Sequence, residues 1–518
     1  MLRIERLALR LLTALDAIAN RLYSARLNPL YQSGTIVVVL YLTIVTTGLW
    51  LIVFYRVAAP WESVAGLTAN LWIGNWVRGL HRYASDAAVV ATLVHAFRMF
   101  AQGRSWGARA LAWVSGGLLA VLLFLCGWTG YVLVWDTFGE RLAIEAARML
   151  DVLPVLSEPM GRAFTGERPV PSVFFFVTLF AHIGIPLGMG VVLWLHVKRL
   201  ERPVLLPPRA LAWALVACLT TVAVAKPLLI APRANAFVLP DLIPSDLFFA
   251  FWMPLTGRLG GATALTILMG GVIAFLVVPV FTRRRADAKP LPSVVDEDIC
   301  TGCLQCSHDC PYGAIQMIER TSRRSLLVAN VDPELCVSCG ICAGSCAPMG
   351  VGPPGRTGRD QLARVQAFLT APERRAGEIV AICCEHGAAT HRAALAAEGA
   401  ATYMTDCAGN IHTSVIEMMI RGGSSGVLIL TCPSRDCLNR EGPKWLTERV
   451  YHDREAELQA RVDRARVRIV PVSAGEQREA LAALRDFSAD VSGLPSPIGS
   501  RSVDLDAACE RAAAGGRA

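Results

Sequence analysis

The spacing of apolar and polar residues divides the 518-residue chain into two unlike parts. Up to Arg285 the apolar residues come in long runs. Six are long enough for a bilayer, which takes about 20 residues. They are approximately Thr35–Tyr55, Trp76–Phe100, Leu111–Trp135, Val173–Val197, Leu211–Ile230 and Ala262–Phe281. Ahead of them, Met1–Leu27 has no uninterrupted apolar core, because arginines recur at 3, 6, 10, 21 and 26. It is therefore not expected to be a signal peptide. Leu7, Leu11, Leu12, Leu15 and Ile18 share one helical face, which predicts a helix lying in the membrane interface. From Glu378 onward the apolar runs are short. EIVAICC, ATYMTDC, SGVLILTC and VRIVPVS read as strands, and IHTSVIEMMIRGG as a helix closed by glycine. Strands alternating with helices predict a small parallel α/β domain. The fold class is thus multidomain: an all-α transmembrane bundle of six spans, a cysteine-rich α+β segment, then a small α/β domain.

Two of the apolar runs carry histidines at a fixed interval. His81 and His95 are 14 residues apart, and so are His182 and His196. Fourteen residues is close to a whole number of helical turns, so both rings of a pair leave one face, roughly 21 Å apart along the axis. A single such histidine is more often a packed residue than a ligand. Two identically spaced pairs instead make two bis-histidine sites, one near each membrane face, and iron in haem takes two axial nitrogens. The neighbouring runs repeat the interval with glycine: Gly34 and Gly48, Gly116 and Gly130. Glycine in a membrane helix admits something bulky, here two macrocycles.

Basic residues set the orientation. Arginines crowd the N-terminal segment. Arg98, Arg104 and Arg109 lie between the second and third runs. Lys198, Arg199, Arg202 and Arg209 lie between the fourth and fifth, and Arg283, Arg284 and Arg285 follow the sixth. With six spans these fall on one side, which the positive-inside rule makes cytoplasmic. Both termini are then inside. His81 pairs with His182 near the outer face and His95 with His196 near the inner. Lys226 stands near the end of the fifth run, where it can snorkel. The net charge of +8 is used up in these topology signals, so no nucleic-acid partner is expected.

HRYASDAAVVATLVHAFRMF, the segment WTGYVLVWD and the two glycine pairs resemble the cytochrome b subunit of quinol–cytochrome c and quinol–plastocyanin oxidoreductases, over roughly Arg21 to Arg285. The resemblance implies two b haems on His81, His95, His182 and His196, with Arg78 and Arg82 beside the propionates of the outer haem. It implies quinone or quinol as substrate, and a homodimer as in the cytochrome b complexes. The plastocyanin-linked branch attaches an extra haem where this chain has Gln32, so that haem is not expected. The Pro-Glu-Trp-Tyr motif of the outer quinol site is replaced by Pro244, Ser245, Asp246 and Leu247. Asp246 is the candidate carboxylate there. Val134 stands where the family usually has proline.

Only Cys126 and Cys218 of the sixteen cysteines precede residue 300. RRRADAKPLPS (283–293) marks the boundary. Then come Cys300-x2-Cys303-x2-Cys306-x3-Cys310-Pro and Cys336-x2-Cys339-x2-Cys342-x3-Cys346. This is the bacterial two-cluster ferredoxin pattern, in which the fourth cysteine of each run serves the other cluster. Cys300, Cys303, Cys306 and Cys346 should hold one [4Fe–4S] cluster, and Cys336, Cys339, Cys342 and Cys310 the other. Paired CxxC motifs also bind zinc, but two complete four-cysteine runs favour clusters.

In the last domain Cys383, Cys384, Cys407, Cys432 and Cys437 fall at strand ends, where ligands of parallel sheets gather. Buried structural thiols are the alternative. Glu378–Glu476 resembles the iron–sulfur delta subunit of methyl-viologen-reducing hydrogenases. That implies a [2Fe–2S] cluster on Cys384, Cys407, Cys432 and Cys437, with Cys383 the rival for the first place. It also implies docking onto a flavoprotein of the heterodisulfide-reductase type. The expected division is 1–285 membrane domain, 286–350 ferredoxin domain, 351–376 linker, 377–488 delta-subunit-like domain and 489–518 disordered tail.

No Rossmann glycine fingerprint follows a strand, and no flavin or molybdenum site is evident. Substrate chemistry is expected in partner subunits. The chain reads as the electron-transfer subunit of a quinone-linked oxidoreductase in a prokaryotic cytoplasmic membrane. It would relay electrons between the quinone pool and a cytosolic flavoprotein, heterodisulfide-reductase-like or dehydrogenase subunit, with its iron–sulfur domains in the cytoplasm. The competing reading is a membrane anchor for a soluble redox complex, its haems off the main path. A quinol-oxidising enzyme using Asp246 is a third.

Overall fold

The computed structural model describes residues 3–153, 160–164, 170–198, 202–235, 246–283, 290–320 and 325–495. Pro244, Ser245, Arg199, Arg284, Arg285 and Cys509 lie outside them. The chain divides into two units. The first is Met1–Leu9, Gln32–Arg199 and Pro203–Arg283; the second is Arg10–Tyr31, Leu200–Arg202 and Arg284–Ala518.

Helix α1 (Arg3–Leu27) opens in the first unit and continues in the second, breaking at Ser24, whose φ of 64° is left-handed. The rest of the first unit is α2 (Ser33–Ile52), α3 (Pro60–Ala69), α4 (Gly74–Ala101), α5 (Ala110–Val134), α6 (Thr137–Leu150), α7 (Ser172–Lys198), α8 (Arg209–Ala225), α9 (Met253–Leu259), α10 (Gly261–Leu276) and α11 (Val278–Thr282). Four of these, α2, α4, α5 and α7, are long and apolar enough to cross a membrane. The chain is thus a multi-pass membrane protein of the helical class.

The fifth and sixth expected spans fall short of that length. Helix α8 has 17 residues and ends at Ala225, because Lys226 precedes Pro227 and a residue before proline is pushed out of the helical region. Helix α10 has 16 residues and breaks at Val277 before α11. Pro279 cannot donate to the carbonyl four residues back, that of Phe275. The Trp113 indole N–H takes that carbonyl instead, at 2.8 Å. The same device recurs in α7, where Pro186 frees the carbonyl of His182 and the Cys126 thiol lies 3.9 Å from it. Helices α3, with 10 residues, and α6, with 14, are too short to span, and the hydropathy pattern does not predict them. Val134, in the usual proline place, lets α5 run unbroken to a left-handed Trp135.

Helix α2 packs along α4 and α5 along α7, each an antiparallel pair of one glycine helix and one histidine helix.

In the second unit, Leu12, Asp16 and Asn20 are the buried side of α1, while Leu11, Leu15, Ile18 and Leu22 are exposed, as is Leu7 in its first-unit part. The expected apolar face is present, less Leu12. Asn20 donates to Glu476 at 2.8 Å. The ferredoxin segment has β1 (Val294–Val295), α12 (Gln305–Asp309), β2 (Ile315–Glu319), β3 (Leu327–Val331), α13 (Ile341–Ser345) and β4 (Val351–Gly352). β1 pairs with β4 and β2 with β3, both antiparallel.

Then come α14 (Gly358–Leu369), β5 (Ile379–Cys384), α15 (Arg392–Ala397), β6 (Ala401–Thr405), α16 (Thr413–Arg421), β7 (Gly426–Thr431), α17 (Gly442–Tyr451), β8 (Val467–Pro471) and α18 (Gln477–Ser492). The four strands form one parallel sheet in the order β6-β5-β7-β8, as the strand-helix alternation predicts. Both faces are covered, so β5 and β7 are buried throughout.

Two segments at the edges of this domain pack onto it. The segment 351–376 holds the short helix that its sequence suggests, α14, which starts with a capping box at Thr357 and Asp360 and buries Val365 in the core of the sheet. Helix α18 runs to Ser492 and buries Val491, so the fold continues past residue 488.

Candidate redox centres

The four histidines meet in the pairs that depth predicts. The rings of His81 and His182 have centroids 6.4 Å apart, tilted by 59°. His95 and His196 are close enough to act on one another's charge. Each ring leans on the glycine of the neighbouring helix. A Cβ added at Gly34 would stand 2.8 Å from His95 Cε1, at Gly48 3.2 Å from that of His81, at Gly116 3.3 Å from that of His196, and at Gly130 3.1 Å from that of His182. The matched intervals therefore come from antiparallel packing. The expected role of the glycines shifts accordingly: they make room first for the imidazole entering the seam between two helices.

A second set of residues completes the arrangement. Nδ1 of His81 lies 2.9 Å from Thr47 Oγ1, Nδ1 of His182 2.9 Å from Thr129 Oγ1, Nδ1 of His196 2.9 Å from Ser115 Oγ, and Nδ1 of His95 3.4 Å from Ser33 Oγ. Three of these hydroxyls spend their proton on their own helix, donating to Thr43 O, Cys126 O and Leu111 O. Their oxygen is then the acceptor, Nδ1 carries the ring proton, and Nε2 keeps its lone pair for a metal. The signal is present in the sequence: each paired glycine follows a serine or threonine, as Ser33-Gly34, Thr47-Gly48, Ser115-Gly116 and Thr129-Gly130. With metal–imidazole bonds of about 2.0–2.1 Å and about 1.1 Å from nitrogen to ring centre, two axial rings stand about 6.3 Å apart. The His81–His182 pair fits an iron between its rings.

Arg78 and Arg82 part company. Arg78 donates to the Thr68 hydroxyl at 3.1 Å and to Leu228 O at 3.4 Å, both neutral. Arg82, expected beside a propionate, is held by carboxylates instead: Asp86 one turn on, and Asp246 at 2.5 Å. Asp246 also accepts from Tyr131 and from the backbone amides of Phe248 and Phe249, the amides at 2.7 and 2.9 Å. Burial raises its pKa, but these hydrogen bonds and Arg82 outweigh it and hold the carboxyl below its ordinary value. A proton relay needs a pKa near the working pH. The geometry makes Asp246 the counter-ion of Arg82.

In the ferredoxin segment Cys300, Cys303, Cys306 and Cys346 line one cavity, with Val295, Met317 and Gly350. Cys339 and Cys342 group with Cys336 and Cys310. Each grouping includes the fourth cysteine of the other run, and Cys306 also lies near Cys342 of the second set. Two left-handed residues shape each ligand loop: Gly302 and Leu304 in the first, Ser338 and Gly340 in the second. Backbone amides reach the crossing sulfurs, Ala314 N to Cys310 at 3.4 Å and Gly350 N to Cys346 at 3.3 Å. Burial pushes the thiols of Cys306, Cys339 and Cys346 up, and that of Cys342 to about 12. Such thiols ionise when a metal's charge compensates them.

At the carboxyl edge of the sheet Cys384, Cys432 and Cys437 cluster, with Cys384 Sγ 3.5 Å from Cys432 Sγ. Cys407 joins through a hydrogen bond with Cys437. That bond and another from Cys432 hold Cys437 low, helped by the amides of Asn439 and Gly442. Cys383 points to the opposite face. Its thiol lies in the apolar core, near Ala381 O, and burial pushes it to about 11. The alternation of side chains along β5 thus separates the two rivals.

These sites make the chain a membrane electron-transfer subunit. Three family models match parts of it. The cytochrome b/b6/petB model matches residues 18–203, the 4Fe-4S dicluster domain residues 299–350, and the methyl-viologen-reducing hydrogenase delta subunit residues 379–494. The first implies haem b and the second iron–sulfur clusters. A solved structure described as "Hyperthermophilic respiratory Complex III" aligns at 15% identity over 50% of this chain and 78% of that chain, with a TM-score of 0.39.

Proposed function

We propose that the chain relays electrons between the quinone pool and a cytosolic redox partner. In this reading His81 and His182 hold one b haem and His95 and His196 a second. The two crossed cysteine sets hold [4Fe–4S] clusters, and Cys384, Cys407, Cys432 and Cys437 a [2Fe–2S] cluster. Helices α8 and α10–α11 supply the fifth and sixth crossings, which puts the iron–sulfur domains on the cytoplasmic side with the His95–His196 haem. When bound, these groups supply reversible one-electron exchange. The chain's own residues orient them: the four hydroxyls fix the imidazoles, and Arg78, whose hydrogen bonds go to neutral oxygens, is suited to a propionate. A charge crossing the whole membrane gains about 2.3 kcal/mol per 100 mV, so a haem pair spanning it can couple transfer to the field. The delta-subunit-like domain favours a flavoprotein of the heterodisulfide-reductase type as partner.

The observation that carries the reading is the His81–His182 geometry, with Nδ1 tied on each ring and centroids 6.4 Å apart. The test is haem content and quinone reduction by the purified protein in liposomes. Two b haems per chain are expected. His95→Ala should keep one haem and abolish electron transfer between the clusters and quinone. Transfer that survives in that variant, or a protein without reducible haem, would sink the relay in favour of an anchoring role.

A further inference from the structure

The two ferredoxin-type cysteine sets are not equivalent with respect to the strand-end site. Asn410 sits between one of them and that site, 1% exposed. Its side-chain Nδ2 donates to Gly340 O at 3.0 Å, the carbonyl next to Cys339. Its backbone N–H donates to Cys407 O at 2.9 Å. One residue thus links a ligand of the Cys336, Cys339, Cys342, Cys310 set to a ligand of the strand-end set, through two hydrogen bonds. The approach needs a glycine: a Cβ at Gly340 would stand 2.5 Å from Asn410 Nδ2, and its φ is +74°.

A second tie runs in parallel. Arg356 donates to Ser338 O at 2.9 Å and to Asp406 Oδ2 at 3.0 Å, so it clamps the residue before Cys339 to the residue before Cys407. Gln361 holds Asn410 from behind, its Nε2 donating to Asn410 O at 2.8 Å. Cys339 and Cys407 are near enough to act on each other's charge.

The other set has a longer way round. From Cys346 the path runs through Ser345 Oγ to Arg449 at 2.9 Å and from Arg449 to Gly409 O at 2.9 Å, which adds a whole guanidinium side chain. The Cys346 backbone also hydrogen-bonds the His412 ring, whose Nδ1 accepts from the Ser414 amide and so leads into α16 and not to a strand-end cysteine.

We propose that the strand-end site exchanges electrons with the cluster of Cys336, Cys339, Cys342 and Cys310, and that Asn410 is the positioning residue of that step. This rests on the reading of both cysteine sets as clusters. The step moves one electron: one cluster is oxidised as the other is reduced, with no bond made and no proton moved. It also orders the relay, since the Cys300, Cys303, Cys306, Cys346 cluster then stands on the far side of its partner from the strand-end site.

The test uses the full chain in detergent, reduced with dithionite and followed by electron paramagnetic resonance. The strand-end signal should show the fast relaxation of a centre beside a paramagnetic neighbour. Cys336→Ser should remove that enhancement and Cys300→Ser should leave it. The reverse pattern would overturn the assignment. Asn410→Ala keeps every cysteine. It should leave iron content and the three spectra unchanged, yet slow equilibration between the strand-end site and the [4Fe–4S] centres several-fold in stopped-flow reduction. An unchanged rate would overturn the role of Asn410. A wild-type protein with no [2Fe–2S] signal at all would instead overturn the cluster reading beneath the proposal.

Discussion

The histidine sites of the first unit and the cysteine sites of the second position their ligands by opposite means. On α4 and α7 the backbone amides are consumed by the helix, so each imidazole is oriented by a hydroxyl from the neighbouring helix. On the cysteine loops the backbone is free, and its own amides reach the sulfurs. Space is made differently too. The helical sites depend on side chains that are missing, at four glycines. The loop sites depend on unusual dihedrals, at Gly302, Leu304, Ser338 and Gly340. A membrane helix has few conformations to offer and must vary its side chains. A loop can vary its backbone.

That contrast can be broken at its sharpest point, two adjacent cysteines. Cys384→Ser should abolish the strand-end iron signal, while Cys383→Ser, one step along β5 on the other face, should leave iron content intact. Equal losses in both would mean that strand alternation does not select the ligand. Next in size, Gly34→Val drives a side chain into His95 and should reduce haem from two per chain to one, read by the pyridine haemochrome spectrum. Arg449→Met removes a fully buried guanidinium that holds Ser345, Gly409 O and Ile411 O. Stranding those groups should cost about 3 kcal/mol, measured as a lower denaturation midpoint of the second unit.

Asp246 gives a pH-dependent effect. Its folded pKa is depressed, so its contribution is present above its unfolded value of about 3.9 and is lost as pH falls through the lower folded value. Tryptophan-monitored unfolding should therefore lose stability in acid more steeply in the native protein than in Asp246→Asn. Smallest of all, Thr129→Ala should keep both haems and move the midpoint potential of one.

Much of this is legible in the amino-acid sequence. Ligand spacing is itself the mechanism for the histidines at 14-residue intervals and for the CxxCxxCxxxC runs, so the folded chain groups both as their spacing implies. The hydroxyls are harder to see, because Ser-Gly and Thr-Gly are common dipeptides and only their coincidence with the interval is informative. The choice between Cys383 and Cys384 depends on strand register, which adjacent residues cannot reveal. The Arg82–Asp246 pair joins residues 164 apart, so nothing local announces that Arg82 is already engaged. Helix α8 stops early for a reason visible in the sequence, Pro227, which a reading by hydropathy alone passes over.

Helix α1 places one more demand on the protein, and it is one of time. Asn20 is bonded to Glu476, 456 residues later. At synthesis rates of about 5–20 residues per second, the helix emerges roughly half a minute to a minute and a half before its partner exists. Until then Asn20 has only its local partners, the Tyr31 hydroxyl and the Asn28 amide, while the helix's row of leucines is ready at once. The earliest segment made is thus among the last to reach its final contacts. A truncation just before Glu476 would remove this contact together with α18, whose Leu484, Phe487 and Val491 pack in the core of the sheet, so it would be felt at both ends of the chain.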